Sequence, residues 1–357
     1  MKNVNVAIIG TGGISHCHMS GYKALPNVKV VAVCDIDLEK AKAYAEKYGV
    51  PADSVYEDFN EMLKRDDIDA VSVTTWNAAH APATIAALDA GKHVICEKPM
   101  AMNADEARAM EEAAKRNNKL LMIGFVRRYG NDCKVVKDFV DAGVLGDIYY
   151  GKTTYLRRHG FPGGWFGDKR YSGGGPLIDL GVHVIDLSRY LMGCPKPKSV
   201  FGVTFHKLGC RPELKSVEKG GWVSTSTKND FEFSVEDMAS AMIRFDNGAV
   251  LQVECSFDLN AEGKGDVELM GTKGGVKLSP EIEVFTEMAG YMVNVRPAGS
   301  SALSFDGLFE NEIAHFIDCV ANGTECVSPA HDGVILMQIL DAIYESGRTG
   351  HEVEIKD

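Results

Sequence analysis

Residues 4–10, VNVAIIG, are apolar almost without interruption and run directly into a cluster of glycines, GTGGIS. The same construction recurs. VKVVAVCD, DAVSVTT, KHVICE and KLLMIGF are further short apolar runs, separated by the helix-like stretches ISHCHMSGYKAL, DLEKAKAYAEKYG, APATIAALDAG and NADEARAMEEAAKRNN. A strand buried on one face alternates apolar with polar, whereas a continuous apolar run needs cover on both faces. Strands joined through helices run parallel. The first ~125 residues therefore predict a doubly wound parallel sheet, with Gly49 stopping the second helix and Asn103 or Asp105 capping a later one.

Beyond residue 125 the rhythm changes. One helix (DCKVVKDFVDAG) leads to a strand near DIYYGKTTYLRR, then to a loop rich in glycine and aromatics, then to a helix. From about residue 198 to 296 the chain alternates as strands do, with RFDNGAVLQVECSF reading as a hairpin about Asn247-Gly248. Two helices, LFENEIAHFIDCVANG and DGVILMQILDAIYESG, come last. The expected class is α/β: residues 1–125 as a doubly wound Rossmann-type domain, and residues 126–357 as an α+β domain. The second domain is expected to carry an open, mainly antiparallel sheet with helices on one face. Residues 207–234 are polar and read as a long loop.

Several classes are disfavoured. The formal net charge of −12 argues against nucleic acid or an anionic membrane as partner. No apolar run approaches the ~20 residues that span a bilayer, and the N-terminus enters a strand without a secretory h-region. The nine cysteines are dispersed and form no CxxC pair, so they read as reduced cytoplasmic thiols, with no metal expected.

The glycine cluster is the first chemical signal. Gly10 suits a tight turn, Gly12 removes a Cβ from the path of a pyrophosphate, and Gly13 and Ile14 open a helix whose N–H groups and dipole favour an anion. Ser15 stands where a third glycine or alanine is common. Asp35 ends the second strand, 25 residues after Gly10, placed to accept the hydroxyls of an adenosine ribose and to repel a 2′-phosphate. With Ile36, Asp37 and Leu38 behind it and no nearby Arg or Lys in sequence, NAD is expected over NADP. Asp37 is the alternative cap for the helix that begins there.

VICEKPM puts Glu97 and Lys98 at the end of a strand, where a doubly wound sheet holds its ligand. An N-terminal glycine fingerprint, then E-K-P, then G-G-G…D-x-G-x-H-x-x-D together resemble the Gfo/Idh/MocA oxidoreductases over nearly the whole chain. The resemblance implies a catalytic lysine at Lys98 and an acid/base pair at Asp179 and His183. It places Thr75, Asn77 and His80, in TTWNAAHA, beside the cofactor together with Glu97. Trp76 departs from the family's usual proline, leaving the local backbone open. In GGGPLIDLGVHVIDL, residues 173–187, a regular helix puts Asp179, His183 and Asp186 within about 60° of one another. Taken alone, His183 would read as a core histidine; beside Asp179 and E-K-P it reads as a base. Asp186 is left open between structure and catalysis.

YLRRHGFPGGWFGDKRYSGGGP crowds Arg157, His159 and Trp165 together just before that helix. An aromatic plane flanked by hydrogen-bonding groups suits a sugar ring, while a solvated loop packing its aromatics on its own domain fits the same residues; it is the resemblance that implies a sugar or polyol as partner. The resemblance implies oxidation of a ring hydroxyl in a homodimer or homotetramer. Two alternatives stay open: an enzyme that retains and recycles NAD to epimerise, eliminate or cleave through a keto-sugar, and a cofactor-sensing protein without catalysis.

Overall fold

In the computed structural model, residues 2–214, 223–226, 230–299 and 303–356 are described. They divide into two compact units.

The first unit holds a six-stranded sheet: β1 (Val4–Ile9), β2 (Val28–Cys34), β3 (Val55–Tyr56), β4 (Ala70–Val73), β5 (His93–Glu97) and β6 (Leu121–Gly124). Their order is β3-β2-β1-β4-β5-β6, and every pairing is parallel. The continuous apolar runs are the buried ones: Val6, Ala7, Ile8, Val71, Val94 and Ile95 have no exposed surface. Local signals act where the sequence places them. Asp37 accepts from the Lys40 N–H and caps Leu38–Tyr48, Gly49 ends that helix in the left-handed region, and Asn103 caps Ala104–Asn117 by accepting from the Glu106 N–H.

Sequence order and spatial order diverge at one place. The helix Leu308–Asn322, expected in the second domain, lies in the first unit with residues 306–337. It packs on the helix Gly13–Lys23 where Gly21 allows contact: a Cβ at Gly21 would sit 2.7 Å from Ile313 Cβ. Ser20 Oγ donates to Glu310 across the same seam at 3.0 Å. A cut at residue 125 therefore omits a helix that returns to cover the parallel sheet.

The second unit is built on nine strands: β7 (Ile148–Leu156), β8 (Pro197–Phe205), β9 (Met238–Phe245), β10 (Val250–Ser256), β11 (Lys264–Gly271), β12 (Gly274–Lys277), β13 (Glu283–Met288), β14 (Tyr291–Val295) and β15 (Val353–Glu354). The order is β14-β13-β12-β11-β7-β10-β9-β8-β15; β7 and β10 pair parallel and the other pairings are antiparallel. The hairpin at Asn247-Gly248 forms as expected, with Gly248 at φ +86°. One sheet face is buried: Val267 and Leu269 pack with Val136, Leu187 and Leu191 from the helices Asn131–Asp141 and Val182–Leu191. On the other face a cross-strand row runs Phe201, Met242, Gln252, Lys152, Glu268. Phe201 and Met242 are 50% and 47% exposed there.

Candidate active site

The glycine loop begins where β1 ends. Gly10 has φ +90°, and a Cβ there would strike Thr74 O at 2.6 Å and Thr75 Cγ2 at 2.9 Å. Only glycine admits so close a backbone approach. Gly12 is different: its nearest neighbours to an added Cβ are 3.9 and 4.0 Å away, so the loop is open on that side. The helix beginning at Gly13 has no side-chain cap, which leaves its first N–H groups for an anion. Ser15 is fully buried and donates to Gly12 O at 2.6 Å, which braces the turn from inside. These features fit a dinucleotide pyrophosphate; bound NAD would lie against Gly12, Gly13 and Ile14.

Asp35 is held by its neighbours. Its Oδ2 accepts from Thr11 N at 2.7 Å and Thr11 Oγ1 at 2.8 Å, and its Oδ1 accepts from Asp37 N at 3.0 Å. Because Asp37 caps the helix, Asp35 has no capping duty. The expectation that no cation stands near it needs correction. Lys40 Nζ is 3.9 Å from Asp35 Oδ2, brought there by the first turn of the helix that Asp37 caps.

Just after β4, Trp76 occupies the proline position with φ −75° and immediately precedes the helix Asn77–Asp89, without a side-chain capping bond. That φ lies in proline's own range, so the substitution leaves the backbone path intact. Asn77 is buried beside it. His80 is 1% exposed, with Nδ1 2.7 Å from Pro99 O and Nε2 3.2 Å from Thr75 O. Burial lowers its pKa, so the ring is neutral. A neutral ring carries one N–H, and the shorter contact assigns it to Nδ1, donating to Pro99. His80 thus ties the turn after β5 to the end of β4 and braces the cofactor side.

The E-K-P motif divides between two tasks. The Glu97 side chain does not point outward from the strand end into the ligand crevice, as its position in the motif predicts. It turns inward, with Oε1 2.9 Å from His18 Nε2 and Oε2 accepting from the Lys98 N–H at 3.1 Å. His18 Nδ1 is 3.1 Å from Ser72 Oγ, which is 2.6 Å from the Tyr22 hydroxyl. Glu312 closes this buried group: its carboxylate lies within 4.8 Å of His18 and Glu97 ligand atoms and has no hydrogen-bond partner among the described residues. Burial, then the Glu97 charge, push the Glu312 carboxyl well above its ordinary range. Lys98, the next residue, is half-buried.

In the second unit, the GGGP segment is shaped by packing. A Cβ on Gly174 would lie 1.9 Å from the Tyr344 hydroxyl oxygen, and one on Gly175 would lie 2.2 Å from Glu236 O. The Glu236 carboxylate, fully buried, accepts from Gly175 N at 3.0 Å, Leu177 N at 3.1 Å and Tyr344 Oη at 3.0 Å. Desolvation raises its pKa, opposed by those donors.

Leu177–Gly181 then forms a π turn, and the α-helix Val182–Leu191 continues from it. The regular-helix wheel is thereby corrected, since a π turn spans more residues and rotates Asp179 relative to His183. Asp179 is 8% exposed and His183 half-buried. Single π turns inside helices occur often at functional sites because they re-aim side chains. Asp186 belongs to the architecture: Arg128 Nε and Nη2 donate to its two oxygens at 3.0 and 2.6 Å, with both side chains buried. The Arg128 guanidinium also lies over the Tyr190 ring, 4.7 Å from its centroid.

The aromatic loop is largely occupied with itself. Arg157 Nη1 donates to Gly160 O at 2.8 Å and its guanidinium lies over Tyr155. His159 Nδ1 is 2.8 Å from Asp258 Oδ1, which also accepts from Arg211 Nε at 2.6 Å. Trp165 stacks on Phe166 with ring centroids 3.9 Å apart and remains half-exposed. Arg157, His159 and Trp165 are all partly exposed. The described parts of 207–234 are irregular, as expected: Asp237 Oδ2 accepts from Leu208 N and Gly209 N, and Ser224 N donates to Pro162 O. Residues 215–222 and 227–229 lie outside the described residues.

A glycine loop of this geometry on a 3-2-1-4-5-6 sheet defines a dinucleotide-binding oxidoreductase domain. Residues 4–125 match the Gfo/Idh/MocA model, described as an oxidoreductase family with an NAD-binding Rossmann fold, and residues 133–277 match the Gfo/Idh/MocA C-terminal domain. The chain belongs to this family and is an NAD-dependent oxidoreductase. It is 37% identical over 356 residues to D-glucoside 3-dehydrogenase of Escherichia coli, covering 99% of this chain and 97% of that protein. Levoglucosan dehydrogenase of Pseudarthrobacter phenanthrenivorans is 32% identical over 303 residues, covering 79% of this chain and 75% of the relative. A solved levoglucosan dehydrogenase in complex with NADH and levoglucosan superposes with a TM-score of 0.84 at 26% identity, covering 100% of both chains.

Proposed function

We propose that the protein oxidises a ring hydroxyl of a pyranoside, or reduces the corresponding ketone, with D-glucosides and their C3 hydroxyl as the first class to test. The observation that carries this reading is the full-length likeness to D-glucoside 3-dehydrogenase, with Lys98, Asp179 and His183 all present. Bound NAD supplies the hydride acceptor. His183 takes the hydroxyl proton as the C–H bond breaks. Asp179 orients the imidazole or grips a neighbouring hydroxyl, and the Lys98 ammonium stabilises charge developing on the substrate oxygen. Thr75, Asn77, His80 and Glu97 shape the backbone around Lys98, while Gly10, Gly12, Gly13, Ile14 and Asp35 hold the dinucleotide. Trp165 offers a plane for the sugar ring, with Arg157 and His159 setting the loop that carries it.

The half-apolar outer face of the nine-stranded sheet supports a homodimer or homotetramer, since Phe201 and Met242 stand exposed in adjacent register. The nine free thiols are in keeping with a reducing cytoplasm. Among the described residues no helix is long and apolar enough to cross a membrane. A panel of glucosides, free aldoses and inositols, monitored by NADH absorbance, tests the proposal. Turnover confined to inositols, or no turnover on any ring hydroxyl, would overturn it.

A further inference from the structure

A second group of chemically capable side chains lies apart from the dinucleotide loop and the acid/base helix. His315 and Cys319 sit one turn apart on the helix Leu308–Asn322, and Cys326 comes back to them from the loop beyond it. The imidazole nitrogen and the two sulfurs lie within 4.8 Å of one another. We propose that His315, Cys319 and Cys326 form a binding site for one thiophilic divalent cation, zinc by donor chemistry, with water completing the tetrahedron.

Three observations support the assignment. The His315 Nε2 to Cys319 Sγ distance is 3.4 Å. Tetrahedral zinc, with Zn–S near 2.3 Å and Zn–N near 2.0–2.1 Å, requires about 3.5 Å between those atoms. The tautomer is the one a ligand needs: Val327 N–H donates to Nε2 at 3.0 Å, so Nε2 carries no proton. An arriving cation takes over that lone pair, so the site competes with one backbone hydrogen bond. The frame is rigid. Asp318 accepts from Asn322 Nδ2 and Thr324 Oγ1, each at 2.6 Å, which fixes the first half of the loop. Ile123 N donates to Ser328 O at 3.0 Å, which fixes the second half against β6. Cys319 is buried while His315 and Cys326 are half-buried.

Cysteine spacing alone hides this site, because one ligand is a histidine and the thiols are seven positions apart. The H-x-x-x-C pair on one helical face was the available signal. The cation would staple the returning helix to the edge of the parallel sheet; it is assigned no part in hydride transfer.

The test is metal content of the full chain, incubated with equimolar zinc under reducing conditions and passed through gel filtration. Wild type should retain about one zinc per chain, and Cys326→Ser should lose it. Cys210→Ser, a half-buried cysteine elsewhere, should keep it. Zinc should raise the melting temperature of wild type but not of Cys326→Ser. Cobalt should give a thiolate charge-transfer band in the near ultraviolet only when Cys326 is present. Failure to retain zinc, or equal retention by Cys326→Ser, would overturn the proposal. So would a Cys319–Cys326 disulfide in the protein as isolated, which would make the pair a redox dithiol instead.

Discussion

Asp186→Ala should be a stability variant and not a catalytic one. The Asp186 carboxylate meets Arg128 through two hydrogen bonds of 3.0 and 2.6 Å, and the two side chains are 3% and 1% exposed. Removing the carboxylate leaves a guanidinium enclosed by protein with only its ring contact to Tyr190 and its remaining bonds to offset the lost charge. Breaking a buried pair on one side costs about 3–5 kcal/mol, far more than the pair contributes over a hydrophobic replacement. For a folding unit of this size, at about 2–4 °C per kcal/mol, the melting temperature should fall by about 6–20 °C. Asp186→Asn keeps the shape and one of the two hydrogen bonds and should fall less. The assay pairs thermal unfolding with turnover per folded molecule at a temperature where both variants are folded. A large drop in turnover with an unchanged melting temperature would refute the reasoning and move Asp186 into the chemistry beside His183.

Other substitutions separate along the same two axes. His183→Ala and Lys98→Ala should each lower kcat by about 10²-fold or more while leaving NAD affinity and melting temperature nearly intact; a lost melting temperature with normal turnover would return His183 to the core. NAD should bind more tightly than NADP in a fluorescence titration, and Asp35→Ser should narrow the gap, since Lys40, now 3.9 Å from that carboxylate, would face a 2′-phosphate directly; equal binding by wild type would reject the role of Asp35. Asp168, whose carboxyl the Arg170 guanidinium holds down from 3.8 to about 2, contributes stability that is complete above the ordinary aspartate range and drains as pH falls between those values. In Asp168→Asn the acid-side decline in melting temperature over that window should flatten; an identical pH profile would exclude the pair as its source.

The parts of this molecule legible in sequence are those written by local rules. Continuous apolar runs gave the parallel sheet, Asp37 and Asn103 gave caps, and Asn247-Gly248 gave a hairpin, because each depends on neighbours in sequence. The parts that were not legible depend on partners far along the chain. Arg128 and Asp186 are 58 positions apart, Gly175 and Glu236 are 61, and neither pair has a local signature. The π turn at Leu177–Gly181 escaped for another reason: the apolar period across it departs too little from a regular helix to be read from one sequence.

The three residues of E-K-P, adjacent at a strand end, invite one shared role, yet a strand sends successive side chains to opposite sides. Glu97 goes inward to His18, and Lys98, proposed as the catalytic lysine, donates its own N–H to Glu97 Oε2. The Lys98 backbone is held by Glu97, and burial pushes the neighbouring Glu312 carboxyl up, which disfavours a second negative charge in the cluster. Glu312→Gln places a neutral side chain of nearly the same size there and should leave kcat near wild type. Glu312→Lys would place a cation beside His18 and should cost both folding and turnover. If Glu312→Gln instead lowered kcat about 10²-fold with NAD affinity intact, the group behind Lys98 would be moving protons, the scale expected of an acid/base group, and Glu312 would belong to the mechanism.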